Sequence, residues 1–365
     1  MAAKRIQSIA VMTGGGDCPG LNAVIRAVVK TAINKYRLNV WGVRDGYLGL
    51  IENRMERLAY NDVSNILTVG GTILGTSNTA NPFRFAVQSG PRMQYKDVSD
   101  RCVRVLAEGG IDALICIGGD GTMATAAEFA KKGLTVMGVP KTIDNDLYGT
   151  DVTFGFHTAV TTATEAIDKV HTTASSHHRI MIVEVMGRYA GWIALYAGVA
   201  GGADVILIPE IPYEPQAICD YVLERSRRGK RFSIVVAAEG ARAKDGQMVV
   251  SKRIAGSPDP IRLGGIGPVL ADQIAECTGL ECRAVILGHV QRGGTPTPYD
   301  RTLATNFGHT AIELLMKGQK DHLVVLKDGR LSSIPLRRVA GRIKTVPHNH
   351  EMIRAARAVN TSFGI

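Results

Sequence analysis

The sequence predicts an α/β protein of two doubly wound lobes, each with a mainly parallel sheet flanked by helices. Short apolar runs of strand length alternate with segments of helical period along most of the chain. Such alternation is typical of parallel sheets assembled from strand–helix–strand units. The length of 365 residues fits about two domains. Three apolar runs lead directly into loops rich in Gly, Asp or Asn, and ligands bind beyond the carboxyl ends of strands in such sheets.

The apolar runs and periodic segments give the expected order of elements. Strands are expected at 6–12, 113–117, 134–139, 180–185, 205–208, 233–238 and 283–287. Helices are expected at about 21–34, 123–132, 158–171, 190–200, 215–228, 267–278 and 301–317. The segment 244–267 is rich in Gly and Pro, which predicts a long surface loop before a helix.

The charge balance favours an anionic partner. The chain carries 43 Lys and Arg against 33 Asp and Glu, a formal net charge of +10, and only 5% of its residues are aromatic. A nucleic-acid binder usually concentrates its basic residues on one face and adds aromatic stacking residues. Because the basic residues here are spread along the chain, we expect small phosphorylated substrates and no nucleic-acid partner.

The cysteines and the N-terminal segment favour a cytoplasmic protein. None of the six cysteines forms a C-x-x-C pair, and Cys116 lies within an apolar run, so reduced, buried thiols are expected rather than a disulfide or metal site. The first residues lack the apolar run of a secretion signal. The most membrane-like stretch, 189–208, is interrupted by Gly201, Gly202 and Asp204, so we expect no membrane partner.

The loop GGGDCPG (14–20) predicts a phosphate site. Glycines between a strand and a helix let backbone N–H groups approach a ligand, and the helix dipole favours an anion there. The alternative is a tight turn that simply needs glycine. Pro19 stands where a dinucleotide fingerprint has its third glycine, and the chain contains no G-x-x-x-x-G-K-[ST] string, so neither of those nucleotide motifs is present.

Two further loops carry carboxylates. In GGDGT (118–122), Asp120 would repel bound phosphates unless Mg²⁺ lay between them, which predicts a magnesium ligand; the alternative is a helix N-cap. The loop PKTIDND (140–146) combines two carboxylates, a hydroxyl and an ammonium. Phosphoryl transfer to an alcohol needs a base and cations, and this loop supplies both, although an Asx-rich turn is the simpler alternative.

These strings together resemble the 6-phosphofructokinases that use ATP or pyrophosphate, from about residue 6 to residue 316 and again at the chain end. The resemblance is strongest in GGGDCPGLNAVIR (14–26), DGYLGL (45–50), GGTILGTS (70–77), GGDGT (118–122), PKTIDND (140–146), SSHHR (175–179), VEVMGRYAGW (183–192), LGHVQRGGTPTPYDR (287–301) and ARAVNTSFGI (356–365). The loop with Lys141 and the C-terminal extension are similar to the mixed-substrate subgroup.

The resemblance implies a role for individual residues. Asp144 would take the proton from the C1 hydroxyl of fructose 6-phosphate, with Arg188, Lys141 and Gly121 as the other catalytic positions. Asp120 and Asp146 would serve magnesium. The implied sugar-phosphate residues are Thr142, Asp144, Arg179, Met186, Gly187, Arg188, Glu239, Arg283, His289 and Arg292. The implied donor residues are Gly15, Gly16, Asn78, Thr79, Gly119, Asp120, Gly121 and Thr122.

The resemblance also implies the reaction and its organisation. The reaction is transfer of a phosphoryl group from MgATP to fructose 6-phosphate, giving fructose 1,6-bisphosphate and ADP in glycolysis. Residues 1–155 and about 291–342 would form the donor lobe, and residues 156–290 and 343–365 the sugar-phosphate lobe. Because Arg179 and Arg283 resemble arginines donated by a neighbouring subunit, we expect a homodimer or homotetramer.

The donor identity depends on Gly121. Pyrophosphate-using relatives have an aspartate at the matching position, where its charge occupies the space of the ATP α-phosphate, and a lysine matching Lys141. This chain has the lysine without the aspartate, which favours ATP. Asn78 stands where ATP-dependent relatives usually have an arginine that contacts the donor.

Several alternative functions compete with this prediction. The alternatives are a pyrophosphate-dependent enzyme, a kinase for another acceptor such as a nucleoside or NAD, because NAD kinases share GGDGT, and a non-enzymatic nucleotide sensor subunit. The string MGRYAG with Arg179, Arg283 and His289 favours a sugar phosphate over the other acceptors. Because Asp120, Asp144 and Asp146 are all present, the sequence favours an enzyme over a sensor.

Overall fold

The structure, a computed structural model, describes residues 6–89, 92–254 and 260–365. Its strands are β1 Ser8–Thr13, β2 Asn39–Val43, β3 Met55–Arg57, β4 Phe85–Ser89, β5 Arg92–Lys96, β6 Ala113–Gly118, β7 Val136–Pro140, β8 Ile180–Val185, β9 Val205–Leu207, β10 Ser233–Ala238, β11 Val250–Arg253, β12 Ile261–Leu263, β13 Cys282–Ile286, β14 His322–Lys327 and β15 Arg330–Pro335. Its helices are α1 Leu21–Tyr36, α2 Tyr47–Glu52, α3 Ser99–Glu108, α4 Asp120–Lys131, α5 Phe156–His177, α6 Trp192–Ala200, α7 Pro215–Arg227, α8 Ile266–Thr278, α9 Pro298–Met316 and α10 Glu351–Ala358.

The larger sheet has seven strands in the order β15-β14-β7-β6-β1-β2-β3. The strands from β14 to β2 run parallel, and β15 and β3 pair antiparallel at the two edges. Strand β6 is buried along its whole length. Its Ile115 packs in one apolar cluster with α1 and α9, while Leu114 and Cys116 pack in another with α3 and α4. Helices therefore cover both faces of this sheet.

The smaller sheet has four parallel strands in the order β13-β8-β10-β9. Alternate residues of β8 point to opposite layers, as a strand requires. Val183 belongs to the cluster that includes α5 and α6, and Ile182 belongs to the cluster with α7 and α8. This sheet is also doubly wound, so the predicted fold class is confirmed.

The long loop predicted at 244–267 was wrong in part. Strands β11 and β12 lie within it and pair antiparallel. Residues 249–252, Val-Val-Ser-Lys, show no apolar–polar alternation and so do not outweigh the surrounding Gly and Pro in a sequence-based prediction. Residues 255–259 of that segment lie outside the described residues.

The expectation that no cysteine forms a disulfide was also wrong. Cys219 of α7 and Cys277 of α8 are bonded, with their Cα atoms 6.3 Å apart. Helices α7 and α8 cover the same face of the smaller sheet, so the pairing depends on their packing and not on a local C-x-x-C spacing. Cys116, by contrast, is a buried free thiol, as predicted.

In the described ranges, none of the helices is both long enough and apolar enough to cross a membrane. The stretch 189–208 forms helix α6 followed by strand β9, in agreement with the helix and the strand expected there.

Candidate active site

Three loops of the larger sheet lie side by side. They follow β1, β6 and β7, which are adjacent strands and parallel, so their carboxyl ends meet at one edge. The Gly14 N–H donates to the carbonyl of Ile117 at 2.9 Å, and the Lys141 N–H donates to the carbonyl of Gly118 at 3.0 Å. The three loops that the sequence singled out therefore form one connected surface.

The glycine loop needs its glycines for close approach. Gly15 has φ +78°, a left-handed conformation that favours glycine. A Cβ atom on Gly14 would lie only 2.7 Å from Thr122 Oγ1. The Gly15 N–H donates to the carbonyl of Ser77 at 3.1 Å, which brings the exposed residues Asn78 and Thr79 beside this loop. The predicted donor residues are thus neighbours in space.

Helix α4 starts at the centre of this edge. Gly119 occupies the N-cap position and Asp120 is the first helical residue. The N-cap alternative for Asp120 is therefore not what the structure shows. Apart from its chain neighbours and the backbone of its own helix, no heavy atom of the described residues lies within 4 Å of the place where a Cβ atom on Gly121 would be. The first turn of the helix presents backbone N–H groups and the positive end of its dipole to the cleft.

The loop after β7 buries two carboxylates. Asp144 is 6% exposed and Asp146 3% exposed. The Asp144 N–H donates to Thr142 Oγ1 at 3.1 Å, and Asn145, between the two carboxylates, has φ +52°. Asp144 Oδ1 is buried and has no hydrogen-bond partner among the described residues. A buried oxygen without a partner is rare in folded proteins and marks a place where a ligand can bind.

Burial and neighbouring charges shift the pKa values of ionisable groups in this loop. Burial, followed by the charges of Asp144 and Asp120, raises the pKa of Asp146 to about 7. Lys141 is 3% exposed, and burial lowers the pKa of its ammonium, which donates to the carbonyl of Gly16. Carboxylates crowded in this way are stabilised in their ionised form by a cation.

Residues of the smaller sheet face these loops across a cleft. Arg188, three residues beyond the end of β8, places a guanidinium nitrogen 3.7 Å from Asp120 Oδ1. Its backbone has φ +55°, and its N–H donates to Glu239 Oε1 at 2.9 Å. Burial first, and then the charge of Asp144, raises the pKa of Glu239 to about 7. Gly187 has φ +142°, and a Cβ atom there would lie 2.5 Å from the carbonyl oxygen of Ala190.

The turn after β13 closes the cleft from the other side. Arg292 donates to the carbonyl of Asp17 in the glycine loop at 3.1 Å, and His289 is exposed beside it. Gln291, which is fully buried, accepts from the Met186 N–H at 3.4 Å. The cleft thus brings together Met186, Gly187, Arg188, Glu239 and Arg292 with the loops of the larger sheet, and His289 belongs to the same turn as Arg292.

Two of the predicted phosphate ligands, Arg179 and Arg283, lie away from the cleft. Arg179 precedes β8 and Arg283 lies near the start of β13, so both are at the amino ends of strands whose carboxyl ends reach the cleft. Both guanidinium groups pair with Glu281, at 2.9 and 2.7 Å. A strand of six residues is roughly 20 Å long. One chain therefore cannot bring Arg179 and Arg188 to the same small sugar phosphate.

The carboxylates fit a magnesium ion held together with a bound phosphate. In the part of the chain that the structure describes, no group of three or more His, Cys, Asp or Glu side chains is arranged to hold a metal alone. Mg²⁺ is commonly bound through one or two carboxylates together with substrate phosphates. Asp120 and Asp146 are suited to this, because burial, followed by the charges of Asp144 and Asp120, raises the pKa of Asp146, and a cation would offset this.

Sequence reasoning missed three polar groups that support the cleft, of which Gln291 is fully buried and Glu210 and Lys344 are partly buried. Gln291 lies within a string that resembles the family but was not singled out, and Glu210 and Lys344 lie in segments without a motif. Both Gly191 and Val346 donate backbone N–H bonds to Glu210. A lone Lys or Glu gives no sequence signal of such a role, because its partners are distant along the chain.

Comparisons with known proteins agree with this geometry. The phosphofructokinase family model matches residues 8–315. The ATP-dependent 6-phosphofructokinase 2 of Clostridium perfringens is 53% identical over 98% of this chain and 98% of its own length. The ATP-dependent 6-phosphofructokinase of Spirochaeta thermophila is 48% identical with the same coverage. A pyrophosphate–fructose 6-phosphate 1-phosphotransferase of Amycolatopsis mediterranei is 50% identical over 93% of this chain and 96% of its own length.

Solved structures show the same architecture. The phosphofructokinase of Saccharomyces cerevisiae is 32% identical with a TM-score of 0.78, and its match covers 91% of this chain but 45% of the yeast chain. This chain therefore spans less than half of that yeast relative. With its family model, its relatives and its fold in agreement, the chain belongs to the phosphofructokinase family of phosphotransferases.

Proposed function

We propose that this protein transfers the γ-phosphoryl group of ATP to the C1 hydroxyl of fructose 6-phosphate, giving fructose 1,6-bisphosphate and ADP. The observation that carries the proposal is Asp144, a buried carboxylate whose Oδ1 has no hydrogen-bond partner among the described residues and which lies in the loop after β7, beside the glycine loop. Relatives named ATP-dependent 6-phosphofructokinase support it at 46–53% identity.

Each residue of the cleft has a distinct task in this reaction. Asp144 accepts the hydroxyl proton at its free oxygen as the C1 oxygen attacks phosphorus. Arg188 approaches from the opposite side of the cleft, and Lys141 from below the glycine loop, to offset the charge of the transferring group. Phosphoryl transfer depends mainly on positioning and on such charge stabilisation.

Mg²⁺ would be held by Asp120 and Asp146, and when bound it supplies positive charge to the donor phosphates. The glycine loop, Asn78, Thr79 and the first turn of α4, Gly119 to Thr122, would bind the donor. Thr142, Met186, Gly187, Glu239, His289 and Arg292 would bind the sugar phosphate, with the larger sheet forming most of the donor lobe and the smaller sheet most of the sugar-phosphate lobe.

The choice of ATP over pyrophosphate rests on Gly121. The open space around this residue leaves room for an α-phosphate where an aspartate would repel it. Pyrophosphate is the second candidate donor, favoured by Lys141 and by the name of the Amycolatopsis relative.

A homodimer or homotetramer completes the proposed site. Arg179 and Arg283 lie at the far end of the smaller sheet from Arg188, so their use in phosphate binding requires a neighbouring subunit. We also propose that the enzyme acts in glycolysis in the cytoplasm.

One kinetic comparison tests the function and the donor together. Purified protein with Mg²⁺ and fructose 6-phosphate is supplied with ATP or with pyrophosphate, and fructose 1,6-bisphosphate is measured. We expect product with ATP and a much lower kcat/KM with pyrophosphate. A higher kcat/KM with pyrophosphate would reverse the donor assignment, and no product with either donor would reject the kinase function.

A further inference from the structure

Lys344 lies directly behind the carboxylate loop. Its ammonium donates to three oxygens: the Asn145 side chain at 2.9 Å, the Thr150 carbonyl at 3.0 Å and the Asp151 carbonyl at 2.9 Å. A lysine ammonium has three N–H donors, and all three are used here. The side chain therefore holds a fixed position beneath residues 145–151.

The first of these acceptors is the residue between the two functional carboxylates. Asn145 is 4% exposed and has φ +52°, a conformation that a non-glycine residue keeps only when its surroundings hold it. Its side-chain oxygen accepts from Lys344 and also from the Thr153 N–H at 3.1 Å. Because the Asn145 side chain is held by two hydrogen bonds, the backbone on either side of it, which carries Asp144 and Asp146, is held in place as well.

The backbone of Lys344 connects the loop to the other side of the cleft. Its N–H donates to the carbonyl of Asp146 at 2.7 Å, and its carbonyl accepts from the indole N–H of Trp192 at 2.9 Å. Trp192 is the first residue of α6, which packs beside the smaller sheet. The ammonium also lies 5.2 Å from the centre of the Trp192 ring. One residue thus contacts both halves of the cleft.

We propose that Lys344 is a positioning residue for phosphoryl transfer, which fixes the loop carrying Asp144 and Asp146 relative to helix α6. The inference rests on the proposed kinase function and deepens it. Lys344 touches neither reacting group, so its effect passes through Asn145 and the backbone of Asp146. Misplacement of a catalytic group by about 1 Å can cost on the order of 100-fold in rate.

The variant Lys344→Met tests this, with Lys327→Met as a matched control. Lys327 is 60% exposed and its ammonium pairs with the side chain of Asp151. The variant Lys327→Met therefore removes an ammonium that contacts the same loop, but at its surface. We expect kcat of Lys344→Met to fall by about 100-fold while KM for fructose 6-phosphate and for MgATP changes little. Lys327→Met should keep the wild-type kcat.

Two readouts separate positioning from a general loss of structure. Hydrogen exchange without substrates should become faster in the peptide covering 141–153 of Lys344→Met and stay unchanged in the peptide covering 180–188. In Lys344→Ala, added ethylammonium should raise kcat severalfold, whereas tetramethylammonium at equal ionic strength, which has no N–H donor, should not.

Three results would overturn the proposal: an unchanged kcat in Lys344→Met, exchange that rises equally in both peptides, or no selective rescue by ethylammonium. Measuring wild-type protein in the same assay distinguishes failure of the Lys344 proposal from failure of the proposed function. If wild type forms no fructose 1,6-bisphosphate, the kinase function itself fails.

Discussion

The two sides of the cleft differ in how many of their expected residues a single chain supplies. On the larger-sheet side, hydrogen bonds join the three loops and the strand ends beside them, for example from Gly14 to Ile117 of β6 and from Lys141 to Gly16. On the smaller-sheet side, Arg188 and Arg292 reach the cleft, whereas Arg179 and Arg283 pair with Glu281 at the other end of the sheet. We infer that folding alone forms the donor side, while the sugar-phosphate side needs a second copy.

The largest effect is expected from removing the base on the donor side. Asp144→Asn keeps the size of the side chain but cannot accept the hydroxyl proton, so kcat should fall by roughly 10²–10⁴-fold. Fructose 6-phosphate binding, measured by calorimetry, should stay close to wild type. An unchanged kcat with a raised KM would instead make Asp144 a binding residue.

The donor preference should respond to Gly121→Asp. The space around Gly121 is open, so the substitution fits the fold. A carboxylate about 4 Å from a phosphate costs about 4 kcal/mol at an effective dielectric of 20, or roughly 1,000-fold in affinity. We expect ATP use to be lost and pyrophosphate use to appear, because Lys141 is in place. Gly121→Ala is the control, since it adds volume without charge and should retain ATP use.

A smaller effect, on KM alone, is expected from the distant arginines. Arg283→Ala should raise KM for fructose 6-phosphate by roughly 10–150-fold, since a charged hydrogen bond is worth about 1.5–3 kcal/mol. Its kcat should change little because Arg283 lies far from the reacting groups.

Mixing variants shows which chain supplies Arg283. Chains with Asp144→Asn and chains with Arg283→Ala are co-expressed, and the hybrid oligomer is purified by two different tags. Sites that combine an intact Asp144 from one chain with an intact Arg283 from the other should recover the wild-type KM. If the hybrids show only the raised KM, Arg283 acts within its own chain or outside the site.

Most of the fold was visible in the sequence because buried parallel strands have long apolar runs. The predicted strand at 180–185 and the predicted strand at 233–238 coincide with β8 and β10. Strand β15 was not predicted because it is partly exposed and carries polar residues, and β14 was overlooked although Leu323, Val324 and Val325 form a buried apolar run. The Cys219–Cys277 bond was missed since it depends on how α7 packs on α8.

Site residues could be predicted where they lie in short sequence motifs whose residue types indicate their function. The family resemblance named Asp120, Asp144 and Arg188 from such strings, and the family itself is confirmed. The assigned roles of these residues stay predictions. Lys344 could not be named, because the atoms it binds belong to residues almost 200 positions earlier in the chain. The spatial separation of Arg179 from Arg188 likewise becomes clear only from the structure, in which the extended strand β8 lies between them.

The order of strands in the larger sheet has a consequence for synthesis. Strand β7 ends at Pro140, but its neighbour β14 begins at His322. At roughly 5–20 residues per second, a ribosome needs on the order of ten to forty seconds to make the intervening segment. During that time the β7 edge is unpaired, and unpaired strand edges are aggregation-prone. The nascent chain therefore depends on the last part of translation to cover the strand that precedes the loop with Asp144 and Asp146.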